Sequence, residues 1–436
     1  MGTLAGLAGR FDLIRCVMMR YKRIIISCTF AAAAVSAVFG QSVPQPRIHT
    51  APEVAAEIPI NSDSFSRLWA TMDSMHQGQP GKLSILYIGG SHVQAGWIGH
   101  FMRDQMTLLS PSAAWSRGLM LPYRLAKTNT PTHFRTEMTG NWTGLRCPQS
   151  IWKTSSQGRF NGTGIQSRTA SSLASIQHVA YLPDSTQFNS NAIEVWTNAR
   201  ANEFAIDAGD VGMKMTPLED DMGWRVALDA PIDTLRLTFH SSLDRSDPIA
   251  YEGLYATQRG DFPRLVFNEW GHNGLHIADV NTCPDFALLV ERMNPDLIIL
   301  GIGLNDAMNE GGFKIQSFAA EYSKAIASIQ EISPQAALLL LSNTPVHQPS
   351  KIAQEQSARI QSFLQSYAAA GDFGFFDLGM ALGGHENTAT LLANDWLQSD
   401  GIHYTREGYG QIARLLYGAI FQAYQCDFHS RKSNEP

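Results

Sequence analysis

Charge is scarce in this sequence. Asp, Glu, Lys and Arg make up only 17% of its 436 residues, below the ~25% usual for soluble domains. With 44% hydrophobic residues, a disordered chain is excluded. The body carries no Lys/Arg-rich block and the formal net charge is -6, which argues against nucleic acid as a partner. Cysteine is also sparse: five in all, of which Cys147, Cys283 and Cys426 lie beyond residue 40. An odd number without metal-type spacing excludes a dense disulfide framework. One bridge is possible in an oxidising compartment, and the sequence leaves open which two residues would form it. No His/Cys/Glu cluster has metal spacing, so neither a metal nor another cofactor is expected. Gly301-x-Gly303 lacks the third glycine of a dinucleotide loop, because Asp306 stands there. Gly78-x-x-Gly81-Lys82 is too short for a P-loop. The chain has no internal repeat.

Its one long apolar run outside the globular part is N-terminal. Arg20, Lys22 and Arg23 precede Ile24 to Phe39, and Val38-Phe39-Gly40 offers small residues before Gln41. At about 16 residues the run is short for a membrane span. It reads as a signal peptide over 1–40 cleaved near Gly40, with an uncleaved signal anchor as the alternative and Met18 or Met19 as alternative starts. No stable membrane span is expected after cleavage.

The rest of the chain is organised around Ser84-Ile85-Leu86-Tyr87-Ile88-Gly89-Gly90-Ser91-His92-Val93-Gln94. Ile85 to Gly89 reads as a buried strand. Trp97, Ile98, Phe101 and Met102 recur at helical spacing. Ser91 thus falls where a core strand turns toward a helix, the carboxyl edge at which α/β sheets place working groups. Helical N–H groups there carry partial positive charge suited to an oxyanion. An ordinary N-cap serine is the plainer alternative.

Before this strand, Pro44, Pro46, Pro52 and Pro59 mark a linker, and Ser64 to His76 reads as a helix. From about Pro111 to Pro263 short β-type runs alternate with turn residues: Gln177–Leu182, Ala192–Thr197, Glu203–Ala208, Gly212–Pro217, Gly223–Leu228 and Thr234–Phe239. This pattern indicates a β-sandwich. Trp115, Trp142, Trp152, Trp196 and Trp224 fall within it, as core or as sugar-stacking platforms. From Arg264 the α/β rhythm returns, with strands at Leu265–Asn268, Asp296–Gly301, Ala336–Ser342 and Phe373–Leu378. Helices are expected at Val280–Met293, Phe318–Ile332, Ile352–Ala370 (stopped by Gly371) and Glu407–Tyr424. Alternating strands and helices imply a parallel sheet. The expected organisation is a signal peptide at 1–40, a first α/β part at 41–110, an inserted β-sandwich at 111–263 and a second α/β part at 264–436.

A serine nucleophile needs a base and a group to orient it. Asp400 and His403, three apart in a Gly-containing loop, are the best pair: Asp400 can accept the His403 Nδ1–H and leave Nε2 for the Ser91 proton. Asn305, just after a core strand, can donate its amide to an oxyanion. Gly274, in Trp270-Gly271-His272-Asn273-Gly274, can add a backbone N–H. A solvent-facing loop and plain tight turns are the alternatives for these pieces taken singly. An α/β-hydrolase elbow is ruled out, since Val93 stands where Gly-x-Ser-x-Gly needs its last glycine.

Together the four pieces resemble the sequence blocks of the SGNH (GDSL-type) hydrolases. Gly89-Gly90-Ser91-His92 matches the nucleophile block and Gly274 the glycine block. Gly303-Leu304-Asn305-Asp306 matches the Gly-x-Asn-Asp block. Asp400-Gly401-Ile402-His403 matches the Asp-x-x-His block, followed by Thr405-x-x-Gly408-Tyr409. The resemblance covers about 80–110 and 264–425. It implies a flavodoxin-like three-layer α/β/α fold and a metal-free acyl-ester hydrolase. Ser91 would be nucleophile, His403 base and Asp400 its orienter, with Ser91, Gly274 and Asn305 forming the oxyanion hole. The Ser-His pair, Asn305-Asp306-Ala307 and the β-rich insert resemble the peptidoglycan O-acetylesterase branch. Gly118-Leu119-Met120-Leu121-Pro122 and Gly140-Asn141-Trp142 are similar to its early segments. One departure is Gly90, where the family usually carries an Asp that braces the turn. His92 reads as a supporting group and Asp306 as a loop brace. The expected function is an exported, periplasmic or envelope serine esterase acting on acetylated glycans. An O-acetyltransferase, a non-catalytic glycan-binding protein and a lipid or aryl esterase are the alternatives.

Overall fold

Residues 63–131, 134–147, 162–180, 190–219, 221–232 and 234–433 are described by a computed structural model. The expected signal peptide, the proline-rich linker, Trp152 and the end of the Gln177–Leu182 strand lie outside these residues. A central sheet of six parallel strands sets the frame: β1 (Gly81–Gly89), β2 (Ala114–Ser116), β3 (Pro263–Gly271), β4 (Leu297–Gly301), β5 (Ala337–Leu341) and β6 (Gly374–Phe376). Their spatial order is β6-β5-β4-β1-β3-β2. Apart from the short edge strand β2, this is the flavodoxin-like 2-1-3-4-5 order, with the topological switch at β1.

The apolar run of β1 has two jobs, because successive side chains face opposite sides of a strand. Leu83, Ile85 and Tyr87 join one buried cluster with Phe65, Leu68, Trp69 and Met72 of α1 (Asp63–His76) and with Ile98 and Met102 of α2 (Trp97–Met106). Ile412, Leu416 and Ile420 of the C-terminal helix, Arg406–Ser433, complete that face. Leu86 and Ile88 point the other way, among residues of the helices Phe286–Met293, Ile315–Ile332 and Lys351–Gly371. A strand covered on both faces must be apolar throughout. Each such Leu or Ile contributes about 1.5–3 kcal/mol by leaving water.

Two antiparallel sheets lie in the chain between β2 and β3. Seven strands form one, with Ile249–Thr257 near its middle; the other holds Phe134–Thr139, Ala174–Ala180, Thr234–Phe239 and Phe204–Asp207. They face each other. Phe239 stacks on Phe204 and tilts against Tyr251, and His178 Nε2 lies 2.6 Å from the Tyr251 hydroxyl. Trp196 is fully buried, whereas Trp142 and Trp224 are half-buried and tied by their indole N–H groups to Thr139 O and Ala199 O. Trp115 sits in β2, at the edge of the parallel sheet. The insert and one face of the parallel sheet share a continuous apolar core.

Two local readings are corrected. The helix expected over Val280–Met293 is two helices, Ile277–Thr282 and Phe286–Met293. Pro284 has no N–H to give, and Asp285 takes a left-handed φ of 55°. The helix before β6 runs through Gly371 and is ended by Asp372, left-handed at φ 58°. Among the described residues no helix is long and apolar enough to cross a membrane.

Candidate active site

Three strands end flush at the switch point. Gly89 at the end of β1 is in register with Gly271 of β3 on one side and Gly301 of β4 on the other. The loops that follow therefore start from one level, and each carries one expected residue: Ser91, Gly274 and Asn305. Ser91 opens a single helical turn, Ser91–Gln94.

The fourth loop comes from farther along the chain. His403 Nε2 lies 2.9 Å from Ser91 Oγ, and His403 Nδ1–H donates to Asp400 Oδ2 at 2.7 Å. A carboxylate only accepts, so the proton belongs on Nδ1, and Nε2 faces the serine as an acceptor. Asp400 Oδ1 accepts the backbone N–H groups of Ile402 and His403, both at 2.9 Å. Partial burial works against the Asp400 charge, but these hydrogen bonds and the one from His403 outweigh it, holding the carboxyl below its ordinary range. The loop is pinned by Gly401 O, which accepts from His347 N at 2.7 Å, and by Gln398 N, which donates to His403 O at 2.7 Å.

The expected oxyanion donors are set by loop-to-loop bonds. One Asn305 Nδ2 hydrogen is used on Leu275 O at 3.0 Å, leaving the second for another acceptor. A Cβ on Gly90 would stand 3.0 Å from that same nitrogen, so the amide is packed against the serine turn. Gly274 is exposed at φ 77°, with open space where a Cβ would be. Its loop is fixed by His272 N donating to Gly89 O at 3.1 Å and Asn273 N donating to Gln94 Oε1 at 2.6 Å. Among the described residues neither the Ser91 nor the Gly274 N–H has a backbone partner.

Supporting groups complete the site. His92 lies between the Tyr409 hydroxyl at 3.1 Å and Thr344 Oγ1 at 3.4 Å, with its ring centroid 5.6 Å from that of His403. Burial, and then the neighbouring His403 charge, push its pKa down to about 3, so His92 stays neutral beside His403. Asp306 Oδ2 accepts from Ile277 N at 3.3 Å, and its Oδ1 lies 3.5 Å from His276 Nδ1, a brace between two loops. Gln94 is the group that sequence reasoning did not single out. Its carboxamide also donates to Asn129 O at 2.6 Å and to Thr128 Oγ1 at 3.0 Å. No motif signals it, because its partners sit in the insert and in the loop after β3.

Such an arrangement suits acyl transfer through a serine. Residues 244–411 match the model of the GDSL-like lipase/acylhydrolase family. That segment is a GDSL-like lipase/acylhydrolase domain, and through it the chain is a carboxylic-ester hydrolase. The match begins beyond β1, since the insert separates the Ser91 block from the rest of this SGNH hydrolase. Among solved structures it is similar to a peptidoglycan O-acetylesterase at 18% identity, covering 84% of this chain and 98% of that one with a TM-score of 0.64. That extent includes the antiparallel sheets, so the whole fold is shared. A lipase/acylhydrolase from Enterococcus faecalis (21% identity, 36% of this chain and 75% of that one, TM-score 0.30) matches over a smaller part. So does a carbohydrate esterase family 3 protein from Talaromyces cellulolyticus (21% identity, 36% and 72%, TM-score 0.29). No curated protein matches this SGNH hydrolase in sequence.

Proposed function

We propose that this chain is an exported serine esterase that removes O-acetyl groups from cell-envelope glycans. The observation that carries the reading is His403, which meets Ser91 Oγ at 2.9 Å on one ring nitrogen and Asp400 at 2.7 Å on the other. The Ser91 hydroxyl gives its proton to His403 Nε2 as Oγ attacks the acetyl carbonyl carbon. The carbonyl electron pair moves onto oxygen, which accepts hydrogen bonds from the Ser91 N–H, the Gly274 N–H and the second Asn305 Nδ2–H. Each such donor is worth roughly 3 kcal/mol in the transition state. Asp400 holds the imidazolium upright and shares its charge. His403 Nε2–H then protonates the departing sugar oxygen, leaving acetyl-Ser91. Water, deprotonated by the same nitrogen, releases acetate and restores the serine.

The acetyl and glycan parts of this reading are supported by the fold shared with a peptidoglycan O-acetylesterase, insert included. In the proposed organisation the leader is 1–40, the hydrolase is built from 41–110 and 264–436 together with edge strand β2, and the inserted sandwich fills the rest of 111–263 and borders the site. Export rests on the basic and apolar N-terminal run. The test is acetate release from O-acetylated peptidoglycan and from acetylated xylan by the wild type and by Ser91→Ala. Loss of release in a variant with unchanged circular dichroism is expected; full activity in it would refute the assignment. Acetyl transfer to a chitooligosaccharide, measured beside release to water, separates hydrolysis from transfer by the same residues.

A further inference from the structure

Cys147 and Cys283 lie on different parts of the fold. Cys147 follows the insert strand Thr143–Arg146, and Cys283 caps the C-terminal end of the helix Ile277–Thr282, which follows the Gly274 loop in the chain. Their side chains nevertheless meet. One short turn touches both residues: Cys147 N donates to Gly164 O at 2.9 Å, and Cys283 Sγ lies 4.0 Å from Gly162 O. Both are free thiols in the structure, and the neighbouring Cys283 thiol is, after burial, the next cause that raises the Cys147 pKa. Both are buried, 1% and 7% exposed. Cys283 Sγ also lies 3.9 Å from Pro284 O, the next carbonyl in its own chain.

We infer that Cys147 and Cys283 are joined as a disulfide in the mature protein, tying the insert to the helix behind the oxyanion loop. The inference rests on the export proposed above, which supplies an oxidising compartment. Two thiols lose two protons and two electrons, the S–S bond forms, and a disulfide of an envelope thiol oxidoreductase is reduced to a dithiol. Burial raises the Cys147 thiol well above its ordinary pKa, and the thiolate is the attacking species. Oxidation therefore belongs to folding, before the site closes, and the finished bond resists reduction. The tie has a bearing on the site. Arg146, next to Cys147, donates from Nη1 to Asn273 O at 3.2 Å, and Asn273 precedes Gly274. The same turn holds the oxyanion loop's other side, where His272 Nε2 lies 3.1 Å from Thr163 O and Trp270 Nε1 donates to Gly162 O at 3.1 Å.

The full chain, refolded in a reduced/oxidised glutathione buffer and in dithiothreitol, is denatured in alkylating agent and mapped by mass spectrometry. Expected after glutathione is a linked peptide pair containing 147 and 283, two hydrogens lighter than the separate thiols, with Cys16, Cys28 and Cys426 alkylated. Its melting midpoint should exceed that of the reduced protein by about 5 °C, because the bond closes a long loop. Cys426→Ser should keep both results. Alkylation of both Cys147 and Cys283 in the glutathione sample, or a link from either to Cys426, overturns the inference. Acetate release is read on the same samples. A linked but inactive protein would sink the esterase reading alone, and an active protein with both thiols alkylated would sink the disulfide alone.

Discussion

The Oε1 atom of Gln94 accepts the backbone N–H of Asn273 at 2.6 Å. This bond joins the serine turn to the loop that presents Gly274, and the other end of the same carboxamide holds the insert through Asn129 O and Thr128 Oγ1. Gln94→Leu removes the acceptor and both donors while keeping bulk. An unmet buried N–H costs about 1–3 kcal/mol, so the melting midpoint should fall. Because the Gly274 donor is then free to drift, kcat should drop roughly tenfold or more with little change in KM. An unchanged kcat in steady-state assays of a folded Gln94→Leu protein would show that this bond does not position the donor.

Gly90 carries a second prediction. A Cβ there meets Asn305 Nδ2 at 3.0 Å, close enough that the amide must yield. The backbone itself allows a side chain, since Gly90 has φ -85°. Gly90→Ala should therefore fold with near wild-type stability and lose roughly 10- to 100-fold in kcat through a displaced oxyanion donor. Gly90→Asp, which installs the residue common in the resembling family, should be no better than Gly90→Ala. Equal kcat in all three proteins would remove Asn305 from the oxyanion argument.

Asp400→Asn tests the orienting carboxylate. The asparagine can still accept a hydrogen bond from one tautomer, yet it no longer balances the imidazolium formed on His403. A loss on the order of 10³–10⁴ in kcat is expected from the triad logic. Pre-steady-state acylation with an activated acetyl ester measures it directly. Retention of more than about a tenth of the activity would mean that His403 is oriented by its packing and backbone alone.

Acid should destabilise the fold well before Asp400 titrates. Burial pushes His92 and His272 down to about 3 and His178 down to about 4, whereas the unfolded chain protonates them near 6.5. Above that value neither state binds the proton and these groups have no effect. As pH falls below it, the unfolded state gains protons that the folded state refuses. Each histidine then costs up to roughly 1.4 kcal/mol per pH unit. Asp400 acts in the same direction in a lower window: its depressed folded pKa gives stability above about 3.8 that is lost as pH drops through the folded value. Urea unfolding at pH 7.5, 6.5, 5.5 and 4.5 should show a flat region followed by a steep fall. His178→Asn, far from the serine, should make that fall shallower. A curve flat down to pH 4.5 would contradict the buried neutral state of all three rings.

The frame of this protein is legible because its strands obey a strong rule. A parallel strand buried on both faces has to be apolar in every position, and Ile85–Ile88, Ile298–Leu300 and Leu338–Leu340 announce themselves. The four loops are legible because Ser, His, Asp, Asn and Gly follow such strands or close a Gly-containing turn before a helix. The insert was only partly readable. Ile165-Gln166-Ser167-Arg168-Thr169 holds one large apolar residue, and its pairing with Ile249–Thr257 depends on a partner far along the chain. Edge strand Ala114–Ser116 is three residues long, too short for any period. The helix break at Cys283-Pro284 was legible in principle through Pro284 but was hidden by apolar residues continuing on both sides. Gln94, and the use of one Asn305 hydrogen on Leu275 O, were out of reach. Both depend on where a distant backbone amide or carbonyl points, which no local pattern encodes.

The nine-residue pairing of β1 with β3 brackets the whole excursion of the chain through the antiparallel sheets. Its two edges are already zipped side by side, so the backbone connecting them is dispensable for keeping them together. A single protease nick inside that excursion should yield two pieces that co-purify without a covalent link. Co-expressed halves divided there should reassemble into one hydrolase.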